Sequence, residues 1–416
     1  MPGRARPGGG ARGQGRGGSG GAAPSRAAAG APSTSGRGPG MPGAGGAEAA
    51  GGGAASPRLR ALAKEARRHS AYSAVKAAAA SAGARRVWAV SDIHVDYDQN
   101  MDWLHKMARE MPADCRLDAI IVAGDVSHDL RIMRKALSIL KETFNSVYFV
   151  PGNHELWMKK DAEANGDASD SFEKLEKIEQ LCEELDVLTR PAPFHGVWIA
   201  PLQSWHHQDW DTEPDIPNIP AVETRSSDYA LCNFPKSEMG SLALAKRFDD
   251  LNDAHGFDWG LLKGETVISF SHMLPRQDLL PEKRFLFFPN LSKMVGSAPL
   301  RQRLERLRPQ HHLHVFGHSH FSWDATLDGV RYVQPPLCYP TERKRRPRSL
   351  NLGVEGEEPD GSWLPMLLAL IDPDTGEWAE LPPYEAHWSD YYATSQRTPG
   401  VLELAPWARK LYAVSS

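Results

Sequence analysis

Five short apolar runs in this chain each stop abruptly at residues of the kinds that bind metal ions. Ile120-Ile121-Val122-Ala123 closes on Gly124-Asp125, and Val87-Trp88-Ala89-Val90 leads into Ser91-Asp92-Ile93-His94. Val147-Tyr148-Phe149-Val150 leads into Pro151-Gly152-Asn153-His154-Glu155. Far downstream, Val267-Ile268-Ser269-Phe270 precedes Ser271-His272, and Leu313-His314-Val315-Phe316 precedes Gly317-His318-Ser319-His320. Runs this short, rich in β-branched residues and closed by a turn, read as buried strands. Strands of an open α/β sheet deliver the residues that follow them to one edge, where such sheets place their sites. A carboxylate at that edge is costly unless something cationic meets it. The chain must therefore fold so that these strand ends gather in one place.

Between the first three runs the apolar pattern changes period. Met101, Leu104, Met107, Ala108 and Met111 recur at helical spacing. So do Leu130, Met133, Leu137, Leu140 and Phe144, with Ser127 or Asp129 as the cap. A third helix is predicted over Phe172, Leu175, Ile178, Cys182 and Leu185. Asp92, Asp125 and Asn153 are separated by 33 and 28 residues, about one βαβ repeat each. The predicted class is thus layered α/β. Gly329–Val333 and Leu367–Ile371 read as further strands, and Asp372–Gly376 as a turn. Residues 201–260 break the rhythm: Trp205, Trp210 and Trp259 interleave with His206, His207, acidic side chains and prolines. A connection this long reads best as an inserted lid over the site, with a surface insertion carrying its own apolar cluster as the rival. The basic stretch Thr341–Arg348 reads as a solvated loop ahead of a phosphate-attracting rim.

Charge divides the chain. Residues 1–86 hold 12 Arg and 2 Lys against 2 Glu, a net +12, so the remainder of a chain at −4 carries −16. Residues 1–56 are mostly Gly, Ala, Pro, Ser and Arg, and are expected to be a disordered tail, because they cannot bury enough surface to offset chain entropy. An Arg-rich, acid-poor start also fits a transit segment to chloroplast or mitochondrion, and the Arg-Gly stretch Ala11–Gly18 fits RNA contact. Residues 57–86 are expected to be a helical lead-in or part of that targeting segment, and 87–416 to form the main domain. The acidic body is a poor partner for nucleic acid. No run of about 18 apolar residues is present, so no membrane span is expected. Cys115, Cys182, Cys232 and Cys338 form no C-x-x-C pair. That points to a reducing, intracellular compartment, the cytoplasm unless the tail directs the chain to an organelle.

The residue types at the strand ends suit a pair of metal ions. Two divalent cations about 3.5–4 Å apart need a shared ligand, and a carboxylate can turn one oxygen to each. Asp125 is the natural bridge. Asp92 and His94, two apart beyond a strand end, can reach one ion, and Asn153 offers an amide oxygen. His272, His318 and His320 offer imidazoles. Mixed nitrogen and oxygen donors suit Mn, Fe or Zn better than an all-oxygen Mg or Ca site. Two carboxylates against two dications leave the site cationic, so it favours an anionic substrate and lowers the pKa of a bridging water. The expected chemistry is metal-assisted hydrolysis of a phosphate ester.

Taken together, Asp92-x-His94, Gly124-Asp125, Gly152-Asn153-His154-Glu155, Ser271-His272 and Gly317-His318-Ser319-His320 resemble the five signature blocks of the calcineurin-like metallophosphoesterases. The resemblance spans roughly Val87 to Cys338. It implies a four-layer αββα sandwich with a dinuclear metal site at the strand ends. It implies Asp92, His94, Asp125 and His320 on one ion, and Asp125, Asn153, His272 and His318 on the other. His154 matches the family histidine that contacts the phosphoryl group and aids the leaving group. Glu155 is expected to orient His154 or to cap a helix. A bridging hydroxide is expected to attack phosphorus in a phosphomonoester or phosphodiester.

Departures from the pattern narrow the branch. Classical protein Ser/Thr phosphatases of this superfamily continue their second block as G-D-x-V-D-R-G. Here Gly124-Asp125-Val126-Ser127-His128-Asp129-Leu130 lacks that arginine, and Val95 replaces the glycine of D-x-H-G. The chain resembles instead the phosphodiesterase-like and small-substrate members. Two rivals stand beside this reading. A non-catalytic scaffold of the same fold would usually show eroded ligands, and none is eroded. A nuclease using the basic tail is disfavoured by the acidic body.

Overall fold

The computed structural model describes residues 57–68, 83–111, 113–346 and 365–412. The expected tail over 1–56, with its targeting or RNA-binding role, lies outside the described residues. Of the expected lead-in, Pro57–Arg68 is a helix (α1) whose Leu59 and Ala63 are buried, and residues 69–82 lie outside the described residues. No helix among the described residues is long and apolar enough to cross a membrane.

The predicted strands and helices form in the predicted order. β1 (Arg85–Val90), β2 (Ala119–Ala123) and β3 (Ser146–Val150) run parallel. α2 (Asp98–Glu110) and α3 (Leu130–Thr143) connect them, and α4 (Ser171–Glu184) follows. Asp129 is the cap of α3, accepting from the backbone N–H of Arg131. Next come β4 (Ala192–Phe194), β5 (Val197–Pro201), α5 (Ser227–Leu231), α6 (Leu242–Leu251) and β6 (Thr266–Phe270). α7 (Ala298–Leu307), β7 (His311–Val315), β8 (Trp323–Leu327), β9 (Val330–Gln334) and α8 (Pro340–Arg345) follow. β10 (Met366–Ile371) then returns antiparallel to β1, with β11 (Trp378–Glu380) beyond it.

The first sheet has the order β11-β10-β1-β2-β3, and the second β4-β5-β6-β7-β9-β8. In the second, β5, β6, β7 and β9 are parallel, while β4 and β8 close the edges antiparallel. Side chains alternate across a strand, so each sheet has two buried faces to cover. Val87, Ala89, Ile121 and Val150 meet Ile199, Ile268, Phe270 and Val315 between the sheets. Trp88, Val90, Ile120 and Phe149 point the other way, onto Met107, Met133, Leu137 and Ile178 of α2, α3 and α4. On the far side Val267, Phe316 and Tyr332 pack with Leu300 and Leu304 of α7. The result is the expected four-layer αββα sandwich.

The stretch 201–260 is anchored in both outer layers. Trp205 stacks on Phe248 in the cluster under α2 to α4, whereas Trp210 joins the cluster under α7. Asp211 and Asp215 pair with Lys283, a lysine only 3% exposed, which ties this stretch to the chain before α7.

Candidate metal centre

Every parallel strand delivers polar residues to one edge, and the local backbone there is unusual. Asp92, His94, Asp125, His318 and His320 all have left-handed φ angles, between 44° and 71°. Such conformations cost roughly 1–3 kcal/mol each and persist only where surroundings enforce them. They turn each side chain inward immediately after a strand instead of letting it continue the pleat. Two glycines make room: a Cβ on Gly124 would collide with the His272 ring, and one on Gly152 with the Asp125 carboxylate.

The seven residues singled out as ligands converge. Donor atoms of Asp92, His94, Asp125 and His320 lie within 4.8 Å of one another, and so do those of Asp125, His272 and His318. Asp125 belongs to both groups. Asn153 Oδ1 joins the second, 3.1 Å from His272 Nε2 and 2.8 Å from His318 Nδ1. Three of the four histidines commit one ring nitrogen to a support and aim the other inward. His272 Nδ1 donates to Ala123 O at 2.9 Å, His318 Nε2 to Met294 O at 2.8 Å, and His320 Nδ1 to Glu342 Oε2 at 2.6 Å. The inward nitrogens come close in pairs, His94 Nε2 to His320 Nε2 at 3.0 Å and His272 Nε2 to His318 Nδ1 at 3.2 Å. Lone pairs so arranged fit a shared cation, and a supported second nitrogen is the usual arrangement behind a metal-bound histidine.

Charge gives the same answer. Burial lowers the pKa of His272 and His320, yet Asp125 and Asp92 hold His272 at about 9, and Glu342 and Asp92 hold His320 at about 10. Burial and neighbouring imidazoles leave His94 at about 3 and His318 at about 4. Burial opposes a low pKa for Asp125, but His154 and His272 keep it well below the usual carboxylate range. Carboxylates that draw protons onto buried histidines mark a site that demands positive charge. Divalent cations would meet that demand, and the donor set fits them.

The calcineurin-like phosphoesterase family model matches residues 85–322, more than half of the chain. The chain belongs to this family. It is 26% identical over 283 residues, 63% of this chain and 81% of the relative, to the [acyl-carrier-protein] phosphodiesterase PptH of Mycobacterium tuberculosis. The crystal structure of phosphopantetheinyl hydrolase (PptH) from that organism superposes with a TM-score of 0.51 at 22% identity, covering 68% of this chain and all of the other. That likeness speaks to the fold.

His154 lies beside the two donor groups, its Nε2 3.8 Å from Asp125 Oδ2. Its backbone N–H donates to Asp125 Oδ1 at 3.0 Å, and its Nε2 is 3.0 Å from the Tyr339 hydroxyl. The ring lies over Trp157, with 3.5 Å between centroids. Glu155 neither orients His154 nor caps a helix. Its carboxylate accepts from the backbone N–H groups of Asp125, Val126, Ser127 and Gly152 at 2.6–2.9 Å, locking two ligand loops together. Arg345 and Arg346 of the basic stretch line the cavity beside the centre, while Arg343 points inward to Leu337 O and Cys338 O. Sequence reasoning missed Tyr339, Asp228 and Glu342. Tyr339 follows β9, so the rule of looking past each parallel strand could have found it. Glu342 is the lone acid in a basic stretch, and Asp228 carries no local signal.

Proposed function

We propose that this phosphoesterase hydrolyses a phosphodiester, using two divalent cations of the Mn, Fe or Zn type. Asp92, His94, Asp125 and His320 would hold one, and Asp125, Asn153, His272 and His318 the other. The observation that carries this reading is the pair of donor groups sharing Asp125. The substrate class follows the relatives: the linkage of phosphopantetheine to a carrier protein. A cavity of about 280 Å³ adjoins the centre, larger than a phosphate needs. Phe287, Phe288 and Leu291 give it an apolar wall, and Arg225 and Arg345 stand on its rim. Such a cavity suits a diester with an extended, uncharged arm.

Divalent cations bound there would neutralise charge on the phosphoryl oxygens and lower the pKa of a water. The chain's own groups do the remaining work. Glu155 and the left-handed loops hold Asp125 and Asn153 in place before substrate arrives, so little reorganisation is left for the reaction. His154 contacts the phosphoryl group and gives a proton from Nε2 to the departing oxygen. The Tyr339 phenol oxygen accepts from His154 Nε2–H at 3.0 Å and keeps that nitrogen aimed, while burial and the nearby Asp125 and Glu342 keep the phenol itself from ionising. The arginines draw in an anionic substrate.

The full chain reconstituted with Mn²⁺ should release p-nitrophenol from bis(p-nitrophenyl) phosphate and phosphopantetheine from a modified carrier protein. Chelation should stop both reactions and Mn²⁺ should restore them. A protein that binds two ions and hydrolyses neither diester overturns the proposal and favours the scaffold.

A further inference from the structure

The insertion carries a buried carboxylate that belongs to none of the signature blocks. Asp228 lies in the first turn of α5 and is 1% exposed. Its Oδ1 accepts from Asn153 Nδ2 at 2.8 Å and from Trp157 Nε1 at 2.7 Å, and its Oδ2 faces His206 Nε2 at 3.1 Å. The consequence falls on Asn153. A side-chain amide has one oxygen and one nitrogen on opposite arms. With Nδ2 committed to a carboxylate, Oδ1 must face inward, toward His272 Nε2 and His318 Nδ1. The flipped amide would set two acceptor oxygens against each other at Asp228 and turn an N–H toward the metal-binding donors. The same carboxylate oxygen holds the indole of Trp157, whose ring lies over His154.

We infer that Asp228 is a positioning residue for the metal centre: it makes Asn153 present its oxygen and steadies His154 through Trp157. The inference rests on Asn153 being a ligand in the function proposed above. It makes the insertion part of the centre's support as well as part of the cavity wall. Groups that orient a metal ligand typically contribute 10–100-fold in metal affinity or activity.

The test is Mn²⁺ binding to the full chain by calorimetry, run without substrate and beside kcat and KM on bis(p-nitrophenyl) phosphate. Asp228→Leu keeps similar bulk but removes the acceptor for Asn153 Nδ2, so the Asn153 amide is free to turn. One of two Mn²⁺ binding events should weaken by about 10–100-fold, the other staying near wild type. The double variant Asn153→Asp/Asp228→Leu needs no orienting group, because a carboxylate at position 153 offers oxygen in either orientation. It should recover most of the lost affinity. Trp157→Phe leaves the Asn153–Asp228 bond intact, so its Mn²⁺ affinity should stay near wild type while kcat falls. Unchanged affinity in Asp228→Leu overturns the inference. So does a double variant no better than the single one, or a Trp157→Phe loss equal to that of Asp228→Leu, since both describe general packing. A wild-type chain that binds two Mn²⁺ yet cleaves no diester would instead defeat the proposed function, leaving the binding result to stand separately.

Discussion

The first sheet supplies Asp92, His94, Asp125 and Asn153 from the ends of β1, β2 and β3, whereas the second supplies His272, His318 and His320 from β6 and β7. The two sides are also held differently. On the first side buried charges grip the main chain. Glu155 takes four backbone N–H groups, and Lys174 donates to the carbonyls of His128 and Trp157 at 2.7 and 2.6 Å. On the second side the grip is on the imidazole rings, through Ala123 O, Met294 O and Glu342. Carboxylate oxygens depend on where the loop puts them, so the loop is fixed, and only the Asn153 amide needs a further partner, Asp228, to turn its oxygen inward. An imidazole can rotate after its loop is fixed, so the ring needs its own partner. Loss of the main-chain grip on the first side should therefore appear as lost stability, whereas loss of a group that orients a donor side chain, the ring supports of the second side or Asp228 behind Asn153, should appear as lost metal affinity.

The largest effect should come from the one residue common to both donor groups. Asp125→Asn should weaken both ions together by more than about a hundredfold each, above the usual range for a supporting group. Metal content by plasma mass spectrometry should fall from two ions toward none, with turnover falling alongside. Two retained ions and a near-normal rate would remove Asp125 from the bridging position and dissolve the two-group description.

His154 comes next, and it sharpens the comparison because it stands on the first side outside both donor groups. Its proton matters most when the departing oxygen is strongly basic. His154→Ala should slow an alkyl diester by about two to four orders of magnitude, the range for general acid catalysis, and bis(p-nitrophenyl) phosphate far less. Both ions should remain. Equal slowing of the two esters would leave His154 as a phosphoryl contact only, and loss of an ion would make it a ligand.

These contrasts also explain what could be read from the sequence. The central parallel strands and the seven candidate ligands were legible because a short apolar run closed by a turn is a local pattern. The edge strands β4 and β11, each of three residues, and β8 are too short or too mixed to show one. That Trp205 and Trp210 are buried could not be read from the sequence, because their burial depends on neighbours such as Phe248 that are remote in sequence. The supports were hidden for the same reason. Asp228 lies 75 residues from Asn153, and Glu342 lies 22 from His320, in segments whose own pattern suggests only a polar loop. Ligand residue types announce themselves, but the groups that orient them are chosen by tertiary structure.

Glu342→Gln tests the second side alone. It keeps an acceptor for His320 Nδ1 but removes the charge, and with it the pairing to Arg346. The ion held with Asp92, His94 and His320 should bind about 10–100-fold more weakly, the other should be unaffected, and the melting temperature should move little. A large fall in melting temperature with intact Mn²⁺ affinity would break the distinction between rings and main chain.

Lys174 tests the first side, with the smallest expected effect on turnover. Its ammonium is buried beneath the two ligand loops and touches no ligand side chain. Lys174→Met leaves the carbonyls of His128 and Trp157 without that donor, which should cost about 2–4 kcal/mol of stability, while Mn²⁺ affinity and kcat at low temperature stay near wild type. The pH dependence provides a second reading. Burial pulls the Lys174 pKa from 10.5 down to about 8, against the pull of Glu155. Below pH 8 the lysine is protonated in both states and the fold bears the full penalty of a buried charge. Between pH 8 and 10.5 the fold sheds the proton while the unfolded chain keeps it, so wild-type stability should rise with pH, by at most about 3 kcal/mol. Lys174→Met lacks this gain, so its deficit relative to wild type should widen across that window in denaturant unfolding. Subtracting the two curves removes every other titrating group. Parallel curves would show that Lys174 keeps its proton when buried, and a variant that lost Mn²⁺ affinity with undiminished stability would show that the first side, like the second, is held for the metal and not for the fold.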